Sequence, residues 1–403
     1  MNAIVISLFL AVGVIAEDGG APVNGETAQA ITKFTVDMMK VLLEDAGSDN
    51  LVASPVSLST VLAMVQQGAM GDTEKQLTKA LYADPSENKE GYSKLTRNLR
   101  ENSGNETLEF ANGAFVNVGY EIEPNYNETL VKNFRSEMKT VNFANNVESA
   151  DLINSWVSDH THNRIKELIS PDMLDALTRL VLVNAVYFKG LWTTPFRKED
   201  TRDDTFYLSK DNTIQVPMMH LNRKQFKIGS LPELKASWIS LPFEGDRFST
   251  LVILPDEVDG LSALVEGITG DTLFNIIGSL NKTWPTEINL SFPKFKLEST
   301  LNLVEPLQKL GVQDLFTIQA QLGGISKEAV YVSDVVQKAE MEVDEEGATA
   351  SAATGIISKI RTPAVLPLEV LEIKINRPSL IFLLDNLNQL PLFASKLSDP
   401  MKS

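Results

Sequence analysis

The run "LVLVNAVYF", Leu180 to Phe188, most narrows what this chain can fold into. It is apolar and of strand length, so it calls for a strand in a sheet covered on both faces. "STLVILP", Ser249 to Pro255, has the same character, and "WISLPF" and "INLSFPKFKL" add strand patterning bounded by Gly, Pro or Asp. The first third reads as helix. Ile31, Phe34, Met38 and Val41 recur at helical spacing, with Thr27 as the expected cap and Gly47 past the end. In "SPVSLSTVLAMVQQGAMG", Ser54 is the expected cap and Pro55 takes the first helical position. Helices first and strands afterwards predict an α+β fold built on large sheets.

The 403 residues, 43% of them hydrophobic, contain no linker, repeat or shift of composition, which favours one large domain. Residues 1–16 include the apolar run "AIVISLFLAVGVIA", too short to span a bilayer comfortably and followed by a polar segment; it reads as a signal peptide ahead of a 17–403 domain. The chain is therefore expected to be secreted. It holds no Cys, so stability must come from the core. Sequons at Asn105, Asn127 and Asn281 stand among polar residues and are candidate glycosylation sites; Asn289 sits inside a strand-like run whose surroundings oppose modification.

A net charge of −17 argues against nucleic acid and anionic membrane as partners. Lys94, Arg97 and Arg100 could offer a weak local polyanion site, but Glu87, Glu90 and Glu101 flank them and favour a solvated mixed-charge face. The three histidines, His160, His162 and His220, come with no hydrolase or P-loop motif. His160 and His162 are two apart, which on a helix turns them to different sides, so no metal site is expected there. Nothing points to an enzyme or a cofactor.

The remaining oddity is "EEGATASAATGIISKIRTP", Glu345 to Pro363. Taken as a strand, it places Ala348, Ala350, Ala352, Thr354 and Ile356 on one face and Thr349, Ser351, Ala353, Gly355 and Ile357 on the other. No charge and no Pro lie between Glu346 and Lys359, so a sheet could take it in without burying an ion or losing a ladder donor. Its small side chains would also leave it free as an exposed loop. A plain linker would share that composition, but strand-like runs such as "VLEIKI" and "SLIFLL" come after it and must return to the fold. Arg361, before Thr362-Pro363, is what a trypsin-like pocket selects in such a loop.

In these segments the chain resembles the serpin family over about residues 25–400. "NLVASPVSLSTVLAMVQQGAMGDTEKQL", "VNAVYFKGLWTTPF", "FPKFKLE", "VQKAEMEVDEEGATASAATG" and "NRPSLIFLLDNLNQLPLFASKL" are similar to that family's signature segments, in its order. The resemblance implies three β-sheets, eight or nine helices and an exposed reactive-centre loop at about 345–367. It implies a monomeric suicide-substrate inhibitor: a protease cuts the loop and is trapped as the loop inserts into the central sheet. Residue by residue, it makes Glu345, Glu346, Gly347, Ala348, Thr349, Ala350, Ser351, Ala352 and Ala353 the hinge. The bond cut lies fourteen positions after Gly347, at Arg361-Thr362, with Lys359 as the fallback and trypsin-like, Arg-specific serine proteases as partners. Ser54, Ser57, Asn184 and Gln337 resemble the family's shutter, and Trp192, Lys294 and Glu345 its breach. Gln337 replaces a usual His, Asn163 a usual Gly and Ala348 a usual Thr or Ser. The alternative is a non-inhibitory serpin with a carrier, chaperone or storage role, against which the bland hinge argues.

Overall fold

The computed structural model describes residues 21–101, 107–136, 138–347 and 370–402. The α-helices are α1 (Gly25–Ala46), α2 (Pro55–Gln66), α3 (Gly71–Leu81), α4 (Pro85–Glu101), α5 (Pro124–Thr129), α6 (Asn146–His160), α7 (Leu261–Gly267), α8 (Gly270–Leu280) and α9 (Val304–Lys309). The first six precede residue 161, and strands dominate the chain beyond it. Asn24, not Thr27, caps α1: its side-chain oxygen accepts from the Thr27 N–H at 2.7 Å. Gly47 ends that helix at φ 53°. Ser54 does hold the position before α2, with Pro55 next, but its side chain makes no capping bond. The hydroxyl instead donates to the Leu392 carbonyl at 2.7 Å, spending the group on a tertiary contact.

The strands are β1 (Leu51–Ala53), β2 (Thr107–Asn117), β3 (Met138–Val141), β4 (Leu180–Lys189), β5 (Arg202–Ser209), β6 (Asn212–Leu231), β7 (Ala236–Pro242), β8 (Phe248–Pro255), β9 (Thr286–Pro293), β10 (Phe295–Asn302), β11 (Val332–Val343), β12 (Leu371–Lys374), β13 (Ser379–Asp385) and β14 (Leu390–Leu397). Five form a sheet in the order β10-β11-β4-β2-β3. The other nine are joined by hydrogen bonds into one sheet, which resolves into two through β6. The early part of β6 pairs with β5 and β9, whereas Lys227 to Leu231 pair with β7. A register break between Leu221 and Lys224, with Arg223 at φ 50°, turns the corner. Three sheets result, two of them sharing a strand.

The β4 run is covered on both faces, as its composition requires. Leu180, Leu182, Val186 and Phe188 join the cluster that includes α2, while Val181, Val183 and Ala185 join Ile153, Trp156 and Val157 of α6. Every residue of α2 is buried. Asn184 therefore shares the face of Leu182 and Val186, directed toward α2 by the two-residue period of the strand.

Candidate functional site

The polar residues on that face form one network beneath the middle of the five-stranded sheet. Gln337 on β11 is the register partner of Asn184 on β4, and Asn112 on β2 is the partner of Asn184 on its other side. The Gln337 amide accepts from the Ser54 N–H at 2.8 Å and donates to the Ser54 carbonyl at 2.9 Å and to the Asn184 side-chain oxygen at 2.6 Å. The Asn184 amide nitrogen donates in turn to the Ser57 hydroxyl and to the Asn112 side-chain oxygen. The Ser57 hydroxyl donates to that same oxygen at 2.6 Å. Both capacities of the Gln337 amide are thus used, and Ser54, Ser57, Asn184 and Gln337 are all buried. The structure brings these four together and adds Asn112, a polar residue in the apolar strand run "LEFANGAFV" that had not been anticipated.

A second cluster sits where β11 ends. The parallel ladder between β11 and β4 has Glu340 and Tyr187 as its last partners, although β10 continues to pair β11 as far as Val343. Beyond it the chain turns through Asp344 to Gly347. The Trp192 indole N–H donates to the Asp344 carbonyl at 2.9 Å, and the backbone N–H groups of Trp192 and Phe196 donate to the Glu346 and Glu345 carbonyls. Trp192 itself is 2% exposed and stacks on Phe243 at 4.3 Å.

Glu345 is the charged centre of this turn. Its carboxylate receives Lys294 at 2.7 Å and the Thr201 hydroxyl at 2.9 Å, while Lys198 reaches Glu346 at 2.7 Å. Burial pushes the Glu345 carboxyl up, but hydrogen bonds from Lys294, its own backbone N–H and Thr201 outweigh it and hold the group below the ordinary glutamate value. Gly347 has φ 92°, and a Cβ there would lie 2.4 Å from the Gly190 carbonyl oxygen and 2.6 Å from the Trp192 nitrogen. Trp192, Lys294 and Glu345 are brought together; Lys198 and Thr201 join them with no local sequence signal.

Other sites fall less neatly. The hinge residues Ala348 to Ala353, the Arg361-Thr362 bond, Lys359, the 1–16 segment and Asn105 lie outside the described residues. Asn127 and Asn281 are exposed, whereas the Asn289 side chain accepts from the Arg223 N–H at 3.0 Å within β9. His160 ends α6, but His162 lies beyond the helix at φ 47°, so the two do not diverge around one helix and instead border the same cleft. His162 pairs with Glu109 at 2.9 Å, and no group of residues suited to hold a metal occurs among the described ones. Asn163 adopts φ 63°, the left-handed turn that suits Gly or Asn. Lys94 and Arg97 lie on α4 beside Glu87 and Glu90, and no helix among the described residues is long and apolar enough to cross a membrane.

A family model described as Serpin (serine protease inhibitor) matches residues 29–400. The chain belongs to the serpin family. The cattle (Bos taurus) protein named leukocyte elastase inhibitor is 35% identical over 388 residues, covering 93% of this chain and all of the relative. Alaserpin of Manduca sexta is 37% identical over 375 residues, 91% of this chain and 92% of that one. The crystal structure of serpin-12 of Manduca sexta superimposes with a TM-score of 0.81 at 32% identity, covering 92% of this chain and 98% of the other. The serpin fold and membership of a family of protease inhibitors therefore hold for nearly the whole length.

Proposed function

We propose that this serpin is a secreted, monomeric suicide-substrate inhibitor of trypsin-like serine proteases, cut between Arg361 and Thr362. The observation that carries the reading is the β4-β11 pair. Two parallel strands meet in the middle of the sheet, their ladder stops before β11 ends, and the chain leaves β11 by a tight turn at that open end. A segment doubling back from Gly347 would run antiparallel to both neighbours and replace one parallel ladder with two antiparallel ones. Loop insertion of this kind is the family's known switch. The uncharged run after Glu346 would enter without burying an ion.

In this mechanism the protease serine attacks the Arg361 carbonyl carbon and the Thr362 amine leaves, producing an acyl-enzyme. Insertion of about fourteen residues, at about 3.3 Å each, moves the acylated end by about 45 Å before water completes hydrolysis. The Gln337–Asn184 bond pins the strands that must part, and Glu345 with Lys294 anchors the turn where parting begins. The exposed sequons at Asn127 and Asn281 suit a secreted glycoprotein. The 1–16 segment is its signal peptide.

Specificity is tested by incubation with trypsin and with elastase, the latter because of the cattle relative's name, then by a denaturing gel. The expected result is an SDS-stable adduct with trypsin and release of a fragment starting at Thr362. Arg361→Ala should remove most of the trypsin adduct. Cleavage without adduct would leave a non-inhibitory serpin, and an adduct with elastase alone would displace Arg361 as the determinant.

A further inference from the structure

Arg377 sets up a second site, whose lining shares no residue with the Gln337 and Glu345 clusters. Its guanidinium is part-buried and meets only neutral acceptors among the described residues, the Pro255 carbonyl at 2.7 Å and the Asn376 side-chain oxygen at 3.1 Å. No carboxylate among the described residues lies within ion-pair range, in a chain that carries 53 acidic residues. Burial pushes this group down from the ordinary arginine value, and Asp256 and Glu257 offset that only from a distance. A half-buried guanidinium whose Nη2 meets no acceptor among the described residues can still donate to an incoming carboxylate.

The surroundings supply the rest of a ligand site. Arg377 borders a cleft of about 580 Å³ between β12 and the β6-β7 hairpin. That size falls within the range of small-molecule sites. Apolar Ile228 and Leu254 and the Trp238 indole share the lining, the last packed so closely on Gly229 that a Cβ there would come within 2.5 Å of the ring. Lys374 and Glu372 stand on the rim and pair with each other at 3.6 Å, which leaves Arg377, among the described residues of this cleft, to anchor a ligand's charge. We infer that this cleft binds a small aromatic monocarboxylate, its carboxylate on Arg377 and its ring against Trp238. Such a ligand would tie β12, which pairs with β9, to the sheet beside it.

The probe is 1-naphthoate, titrated calorimetrically into the full chain, with neutral 1-naphthalenemethanol as its uncharged counterpart. Saturable 1:1 binding, at least about tenfold weaker for the alcohol and at least about tenfold weaker in Arg377→Gln, is the expected result. Because the chain has no Cys, Ser230→Cys treated with a bulky maleimide obstructs this cleft alone, and it should abolish binding in a protein that melts as the unlabelled one does. Equal affinity for acid and alcohol, binding that survives the maleimide label, or no binding to the unmodified chain would each overturn the assignment. Trypsin adduct formation by the Arg377→Gln variant keeps the outcome separate from the inhibitory reading.

Discussion

Gln337 and Asn184 face each other across the central parallel strand pair, and the Gln337 amide donates to the Asn184 side-chain oxygen at 2.6 Å. That bond closes a network running from β2 through β4 and β11 to the start of α2. Replacing Gln337 by Leu would leave the Ser54 N–H and the Asn184 oxygen buried without partners. The expected loss is about 2 kcal/mol or more, read as a fall of about 2–3 °C or more in the melting temperature of a chain this long. An unchanged melt would mean that the network relaxes around the gap.

The same position predicts a pH response that the native chain lacks. Gln337 cannot ionise, so nothing in this network titrates between about pH 5 and 8. A Gln337→His variant would place a neutral imidazole where one ring nitrogen must accept from the Ser54 N–H. Charging removes that acceptor, so the folded-state value falls below the unfolded value of about 6.5. Stability is then full above about pH 6.5 and declines as pH falls through the lower, folded value. Melting curves across that range should slope for the variant and stay flatter for the native chain.

Glu345 gives its own test, at lower pH. Its folded-state value lies below the ordinary 4.5, so the stabilisation from Lys294 and Thr201 is complete above about that pH and is lost as pH falls through the folded value. Lys294 keeps 37% of its side chain exposed, so solvent screening holds the pair to about 1–2 kcal/mol. Glu345→Gln should therefore melt lower than the native protein at about pH 7 and lose less on acidification to about pH 3. Equal acid sensitivity of the two would remove Glu345 from the account.

Much of this architecture was readable beforehand, for identifiable reasons. The β4 run had to be buried on both faces because it has no wet side, and α2 and α6 provide the cover. The corner in β6 was not readable, because Pro217 and the polar Asn222 to Lys224 interrupt any strand pattern, and only pairing with β5, β7 and β9 makes one strand of it. Asn24 and Thr27 are both good caps by type, and which one caps depends on where the chain enters the helix. Asn112 carried a signal, an amide amid apolar strand residues. Lys198 and Thr201 carried none, since the Thr201–Glu345 contact spans 144 positions of sequence and the Lys198–Glu346 pair a similar distance.

Gly347 tests the turn itself. Alanine there would have to hold φ 92° and fit a Cβ 2.4 Å from the Gly190 carbonyl oxygen, so backbone strain and steric conflict act together. The expected loss is about 2 kcal/mol or more in the melt, with a smaller fraction of trypsin held as adduct. A Gly347→Ala protein with native stability and native adduct yield would show that the turn moves freely.

The proposed insertion makes its largest claim about the cut chain. Exchanging one parallel ladder for two antiparallel ones adds roughly one strand's worth of backbone hydrogen bonds and covers the apolar face of the segment, against the entropy of ordering it. If insertion releases net free energy, cleavage at Arg361 raises the melting temperature, by about 1 °C for each kcal/mol in a chain of 403 residues. Ala350→Arg is the control, because a buried unpaired cation opposes entry while the scissile bond stays intact. The native chain, once nicked, should melt above its uncut form. The Ala350→Arg chain should be cut equally fast, gain little on nicking and release trypsin active. A nicked native chain that melts no higher than the intact one would refute insertion, whatever the loop's sequence suggests.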